Sequence, residues 1–342
     1  MSRRKLIVSV FAGAALFVAA FVGVVIATSG SGSDKLVIYS ARSHYGEEQP
    51  FRDFAKRTGQ DLLLRGGDAS ELFERLETEG DQTPADLLIT VDATNLWHAK
   101  DAGLLQPVHS MVLDRDIPPD LRDPDDEWFG LTIRARTIMR STERVGPNEV
   151  TTYEGLGDPR WKGRLCLRSG TSEYNVSFVA DRIAKDGRVA TERMLRRWKA
   201  NDPKIYGSDT DVLEAIADGD CDVGLTNHYY LARELEEDPH FPVALVWADQ
   251  KGRGTHVNLS GLGVVKGSDR AADAAALIEF LTTPAQQRVF AENNHEYPVG
   301  KGARPSTIAA RFGHFKRDPI DVERAGAHLA DALKLMQEVG WD

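Results

Sequence analysis

Two adjacent phenols, Tyr229 and Tyr230, stand in Asn227-His228-Tyr229-Tyr230, directly after the apolar run Cys221-Asp222-Val223-Gly224-Leu225-Thr226. A phenol offers a π face that stacks on a sugar or an organic cation, and an oxygen that can ligate a metal once its proton is lost. Side chains alternate faces along a strand, so neighbouring tyrosines reach one point only where the strand gives way to a helix or turn. That is where α/β proteins place their ligands. The plainer reading puts one ring in the core and the other on the surface. Enzymatic signatures are missing: the chain has no Gly-x-Ser-x-Gly elbow, no Gly-rich phosphate loop ending in Lys-Ser/Thr, and no His-Glu-x-x-His zinc motif. The carboxylate pairs Glu47-Glu48, Asp125-Asp126 and Glu236-Glu237 read as solvated faces.

The elements around the phenols alternate. Strand-like runs at Leu36 to Ser40, Leu62 to Leu64 and Leu87 to Thr90 are separated by helix-like runs at Phe51 to Arg57, Ser70 to Glu79 and Asn95 to Ala102. This is the pattern of parallel βαβ layers. A second alternation starts near Arg136, with strands expected at Thr137 to Arg140, Arg164 to Leu167 and up to Thr226. Helices are expected there at Asn175 to Lys185, Thr191 to Lys199 and Val212 to Ala217. Val257 to Leu259 and Leu262 to Val265 then look like two strands returning to the first layer, followed by helices at Ala271 to Leu281 and Ala285 to Glu292. The fold class is therefore α/β in two lobes, 34–132 plus 258–305 and 133–257 plus 306–342. Two crossings between lobes imply a hinged cleft.

Arg3, Arg4 and Lys5 precede an uncharged run from Leu6 to Thr28 and the spacer Ser29-Gly30-Ser31-Gly32-Ser33, which reads as an export signal. The run is long enough to span a bilayer and is expected to remain as a membrane anchor; cleavage near Ala27 and Ser29 is the alternative. Without it the formal charge moves from −10 to −13, which disfavours a nucleic-acid partner. Export makes a disulfide between the only two cysteines, Cys166 and Cys221, chemically possible, although two buried thiols would read identically.

Several segments together resemble the ferric-iron-binding proteins of ABC importers. They are Val37-Ile38-Tyr39-Ser40-Ala41-Arg42-Ser43-His44-Tyr45, Pro84-Ala85-Asp86-Leu87-Leu88-Ile89-Thr90-Val91-Asp92-Ala93, Trp161-Lys162-Gly163-Arg164 and Asn227-His228-Tyr229-Tyr230. Gly252-Arg253-Gly254-Thr255-His256, Asn258-Leu259-Ser260-Gly261 and Glu296-Tyr297-Pro298 extend the match over most of residues 35 to 300. The resemblance is to the branch that binds iron through several tyrosines, and it implies the two-lobed, type II periplasmic binding protein fold. It also implies a non-catalytic, extracytoplasmic monomer that carries Fe(III), or Fe(II) captured before oxidation, to a membrane permease driven by a cytoplasmic ATPase.

By that resemblance Tyr229, Tyr230 and Tyr174 supply phenolates from the second lobe, and the loop after the first strand supplies a ligand across the cleft. Fe(III) is a hard cation that favours anionic oxygen, and three phenolates would neutralise it. The family often reads Arg-His-Tyr in that loop, whereas this chain has one residue inserted, Arg42-Ser43-His44-Tyr45. Tyr45 is the expected ligand there, with His44 as the alternative. Arg134 and Arg136 fall near the first crossing, where one of them could pair with a tyrosinate and hold it deprotonated, surface salt bridging being the equal alternative. Ser169 and Asn227 sit where the anion-using branch presents hydroxyls and amides, and Asp92 beside its glutamate ligand. Asp209 stands where that branch has an amide, and a carboxylate there would repel an anion, so no synergistic anion is expected. His228, His256 and Asp86 read as structural. The competing readings are a bilobal binder of an organic cation or a sugar, and a surface-anchored metal-dependent hydrolase.

Overall fold

A computed structural model describes residues 35–42 and 48–341. The N-terminal segment and the loop residues His44 and Tyr45 lie outside the described residues. The strands are β1 (Leu36–Ser40), β2 (Leu62–Gly66), β3 (Leu87–Thr90), β4 (Leu105–Gln106), β5 (Phe129–Ser141) and β6 (Leu165–Arg168). They continue with β7 (Lys204–Tyr206), β8 (Val223–Asn227), β9 (Val243–Val246), β10 (Thr255–Val265), β11 (Tyr297–Pro298) and β12 (Arg317–Pro319). The helices of the first half are α1 (Gln49–Thr58), α2 (Ala69–Glu79), α3 (Ala93–Asp101), α4 (Met111–Asp116), α5 (Glu173–Asp186) and α6 (Arg188–Ala200). Those that follow are α7 (Asp209–Ala217), α8 (His228–Glu237), α9 (Ala271–Leu281), α10 (Pro284–Asn294), α11 (Thr307–Arg311), α12 (Val322–Ala327) and α13 (Leu329–Glu338).

The main path of strands runs β2-β1-β3-β10-β5-β8-β6-β7. Parallel pairing dominates both ends, β1 with β2 and β3, and β6 with β7 and β8. All five residues of β1 and all four of β3 are buried, as expected of strands covered on both faces. The long central strands run antiparallel to these layers. β5 pairs with β10 as far as Ala135 and with β8 from Arg136 onward, so one strand belongs to both halves.

The two returning strands expected at 257–259 and 262–265 are instead one strand, β10. Its register against β5 shifts between Ser260 and Gly261. Gly261 reads as a break in the apolar pattern, but here it permits close approach: a Cβ would come within 2.6 Å of both the Phe129 carbonyl and Leu96. The strand expected at 137–140 likewise begins earlier, at Phe129, because Arg134 and Arg136 interrupt its apolar reading.

Cys166 in β6 and Cys221, just before β8, form a disulfide with Cα atoms 5.9 Å apart. The bond closes a 55-residue span, which by chain entropy stabilises the fold by about 4 kcal/mol. Reduction under non-denaturing conditions should therefore lower the urea midpoint strongly. An unchanged midpoint would mean the bond contributes nothing.

Candidate functional site

β6 and β8 are neighbouring parallel strands, so their C-terminal ends open at the same edge of the sheet. Each runs into a helix there. β8 ends at Asn227 and α8 starts at His228, which places Tyr229 and Tyr230 in the first helical turn, with ring centroids 4.5 Å apart. β6 ends at Arg168, a turn follows, and Tyr174 lies in the first turn of α5. That turn is pinned by the C-terminal tail. The Trp341 indole N–H donates to the Arg168 carbonyl at 3.0 Å, and a Cβ on Gly170 would collide with the Trp341 backbone. Tyr174 and Tyr229 are buried and Tyr230 is half-buried.

Guanidinium groups surround the three phenols. Arg168 stands 5.4 Å from the Tyr174 ring centre and Arg134 stands 5.2 Å from it. Arg233, one turn along α8, lies 5.0 Å from the Tyr229 ring and 5.4 Å from Tyr230. Burial opposes the charge on Arg168, but its neighbours Asp209, Tyr230, Tyr174 and Tyr229 outweigh it and raise its pKa. Arg134 is held charged in the same way, against burial, by Tyr174, Tyr229, Glu296 and Asp92. The Nε and Nη1 atoms of both arginines have no hydrogen-bond acceptor among the described residues.

Arg134 and Arg136 are two residues apart and share one face of β5, on either side of its change of partner. Arg134 donates to Ser260 Oγ at 2.6 Å and faces Glu296. Arg136 turns to the other half. It pairs with Asp209 at 3.0 Å, both side chains being buried, and donates to Asn175 Oδ1 at 2.9 Å and Asn227 Oδ1 at 3.2 Å. Asn227 Nδ2 in turn donates to the Tyr229 hydroxyl at 3.3 Å. Arg134 is thus the strand arginine against a tyrosine, and Arg136 holds the amide that touches one. Because Arg136 cancels the Asp209 charge, that carboxylate no longer argues against an anion in the cleft.

Across from the tyrosines, Arg42 makes a buried network. It bonds Glu48 at 2.8 Å, Glu296 at 3.0 Å and Ser260 at 2.7 Å. Glu48 is therefore buried against Arg42 and Asn294 rather than solvated, which corrects the expectation for Glu47-Glu48. Asp92 caps α3, accepting from the Thr94 backbone, and its second oxygen accepts from Asn258 at 2.7 Å. Asn95 of α3 donates to Glu173 of α5 at 3.3 Å, and burial together with Asp92 pushes Glu173 up to about 7. Ser169 bonds Thr171 and shapes the turn. His256 is bonded to Asp181 at 2.9 Å, and Asp86 accepts from the Val37 N–H at 2.8 Å, both structural placements.

Arg168, Arg233 and Glu173 are the neighbours that sequence reasoning passes over. The readable signals were an arginine closing an apolar strand just before the Tyr174 turn, and an arginine three and four residues beyond the tyrosine pair.

Two α/β halves sharing β5, with oxygen-bearing side chains gathered at strand ends, define a two-lobed, type II periplasmic binding protein. The chain belongs to the bacterial extracellular solute-binding protein family, whose model matches residues 82–311. It is 41% identical over 323 residues to iron uptake protein A1 of Synechocystis, covering 92% of this chain and 90% of that protein. A Trichodesmium protein (IdiA, FutA) solved with iron and citrate superposes with a TM-score of 0.84 at 40% identity, over 90% of this chain and 100% of the other. The apo ferric ion-binding protein A of Pasteurella haemolytica gives a TM-score of 0.84 at 38% identity, over 91% and 99%.

Proposed function

We propose that this chain is the extracytoplasmic iron-binding component of an ABC importer, holding Fe(III) between its lobes and passing it to a permease coupled to a cytoplasmic ATPase. The observation that carries the reading is the placement of Tyr174, Tyr229 and Tyr230 in the first turns of two helices that leave adjoining strand ends, with arginines against their rings. Tyr45, or His44, supplies the ligand from the opposite lobe in this reading, and closure delivers it. Iron-named relatives at about two-fifths identity support the same cargo.

The organic-cation and sugar readings fare worse on this geometry. Guanidinium groups already lie against the tyrosine rings, where a stacked ligand would have to go. The donors of Arg134 and Arg168 suit phenolates, and they equally suit a carboxylate anion carried beside the metal. The protein acts as a carrier rather than a catalyst, as a monomer whose lobes are 34–132 plus 258–305 and 133–257 plus 306–342. The segment 1–33 carries it across the membrane and holds it there.

Iron added to the purified protein should produce a red-orange tyrosinate-to-Fe(III) charge-transfer band; a protein that stays colourless with stoichiometric Fe(III) is not the carrier described. Phenols are protonated when free, since their ordinary pKa is about 10, so each ligating tyrosine releases a proton on binding. Affinity should therefore fall as pH falls, by up to about a thousandfold per pH unit if three protons are released. Titration of released protons in weak buffer checks the number.

A further inference from the structure

A second concave surface lies apart from the tyrosine cleft and shares no residue with its lining. It is a cavity of about 1080 Å³ between α10, β11, α11 and β12. Its aromatic walls are Tyr297 and Phe315, and Phe315 is stacked face to face on Trp247 at 3.9 Å. Arg288, Arg304, Arg317 and His314 line it as well, with Glu292 the single acid. None of the three arginines makes an ion pair among the described residues, in contrast to the buried Arg42, Arg136 and Arg182. The surrounding segment is strongly basic against an acidic whole: Lys301 to Arg317 holds five Lys or Arg and one His and no Asp or Glu, in a chain of formal charge −10. Unpaired, exposed guanidiniums around an aromatic wall match a planar molecule with several negative groups at its rim. A bare inorganic anion would leave most of a cavity this size unfilled.

We propose that this cavity is a second binding site, taking a small aromatic polycarboxylate whose ring packs on Tyr297 and Phe315 while its carboxylates meet Arg288, Arg304 and Arg317. The apolar wall of Tyr297 and Phe315 supports the ring, and the arginines set the charge. The site stands whether or not iron is the cargo of the cleft.

Isothermal titration of the intact chain with benzene-1,2,4,5-tetracarboxylate tests it. Saturable one-to-one binding is expected, weakened about tenfold for each guanidinium removed in Arg304→Gln and Arg317→Gln. Both side chains are exposed, so the variants should fold, and unchanged circular dichroism and melting would confirm that the loss is local. Iron loading should leave the affinity unchanged. No saturable binding overturns the proposal, as does equal affinity in the double variant. Displacement by iron would place the probe in the cleft and also overturn it. Citrate, which has the charge but no ring, should bind more weakly; equal affinity for citrate would remove the aromatic half of the assignment.

Discussion

Replacing Tyr229 and Tyr230 together with phenylalanine should abolish the charge-transfer colour and cut iron affinity by at least about a thousandfold, equivalent to about 4 kcal/mol. The substitution removes the two oxygens proposed as ligands and keeps both rings, so the packing of Tyr229 against Tyr230, and of Arg233 over both, survives. The loss should appear in affinity with little change in melting temperature. Tyr206→Phe is the matched control, because its hydroxyl lies at 3.5 Å from Asp220, outside this group. An iron-binding curve for the double variant that overlays the unmodified protein would end the proposed role of these phenols.

The second large effect is on stability. Arg42→Met should cost about 3–5 kcal/mol, because it strands two buried carboxylates in a site with almost no water. Glu48 and Glu296 are both bonded to this one guanidinium. Burial works to push Glu296 up, and Arg42 with Arg134 holds it below the usual carboxylate range. The loss is therefore a penalty of unpaired charge more than of missing attraction. Adding Glu48→Gln to the variant should recover part of it, since one of the two stranded charges is then gone. Urea unfolding measures both steps. A single variant within about 0.5 kcal/mol of the parent, the range of an ordinary surface change, would show that the network is not stabilising. Arg42 and Glu48 also flank residues 43–47, so the same variant should weaken iron binding if Tyr45 or His44 ligates from that loop.

The amphipathic helices and the unbroken apolar runs were legible: α9 and β3 fall on the residues expected. Charged or glycine positions inside strands were harder. Arg134 and Arg136 look like the boundary of a strand, yet they lie in the middle of β5, each facing a carboxylate far away in sequence, Glu296 and Asp209. Such compensation depends on which chains come together, and local pattern carries no trace of it. The short strands β4, β7, β9, β11 and β12 hold only two to four residues, too few for periodicity to register. At the site, the tyrosines could be picked out because phenols at strand-to-helix junctions have a chemical meaning on their own. Arg168 and Glu48 had none until their neighbours were known. The disulfide was undecidable by spacing, since a bonded pair and two buried thiols present the same residues.

His228 sits beside the tyrosine pair, yet its imidazole is fully spoken for. Its Nδ1 accepts from the Ala135 N–H at 3.1 Å and its Nε2–H donates to the His295 carbonyl at 3.0 Å, while the ring is sandwiched at 4.5 Å against Tyr297. Burial also pushes its pKa down to about 4, keeping it neutral. A nitrogen donor is thereby withheld from the chamber by the fold itself. His228 therefore has no lone pair to offer a metal, and whatever ion enters beside the tyrosine pair meets oxygen there rather than nitrogen.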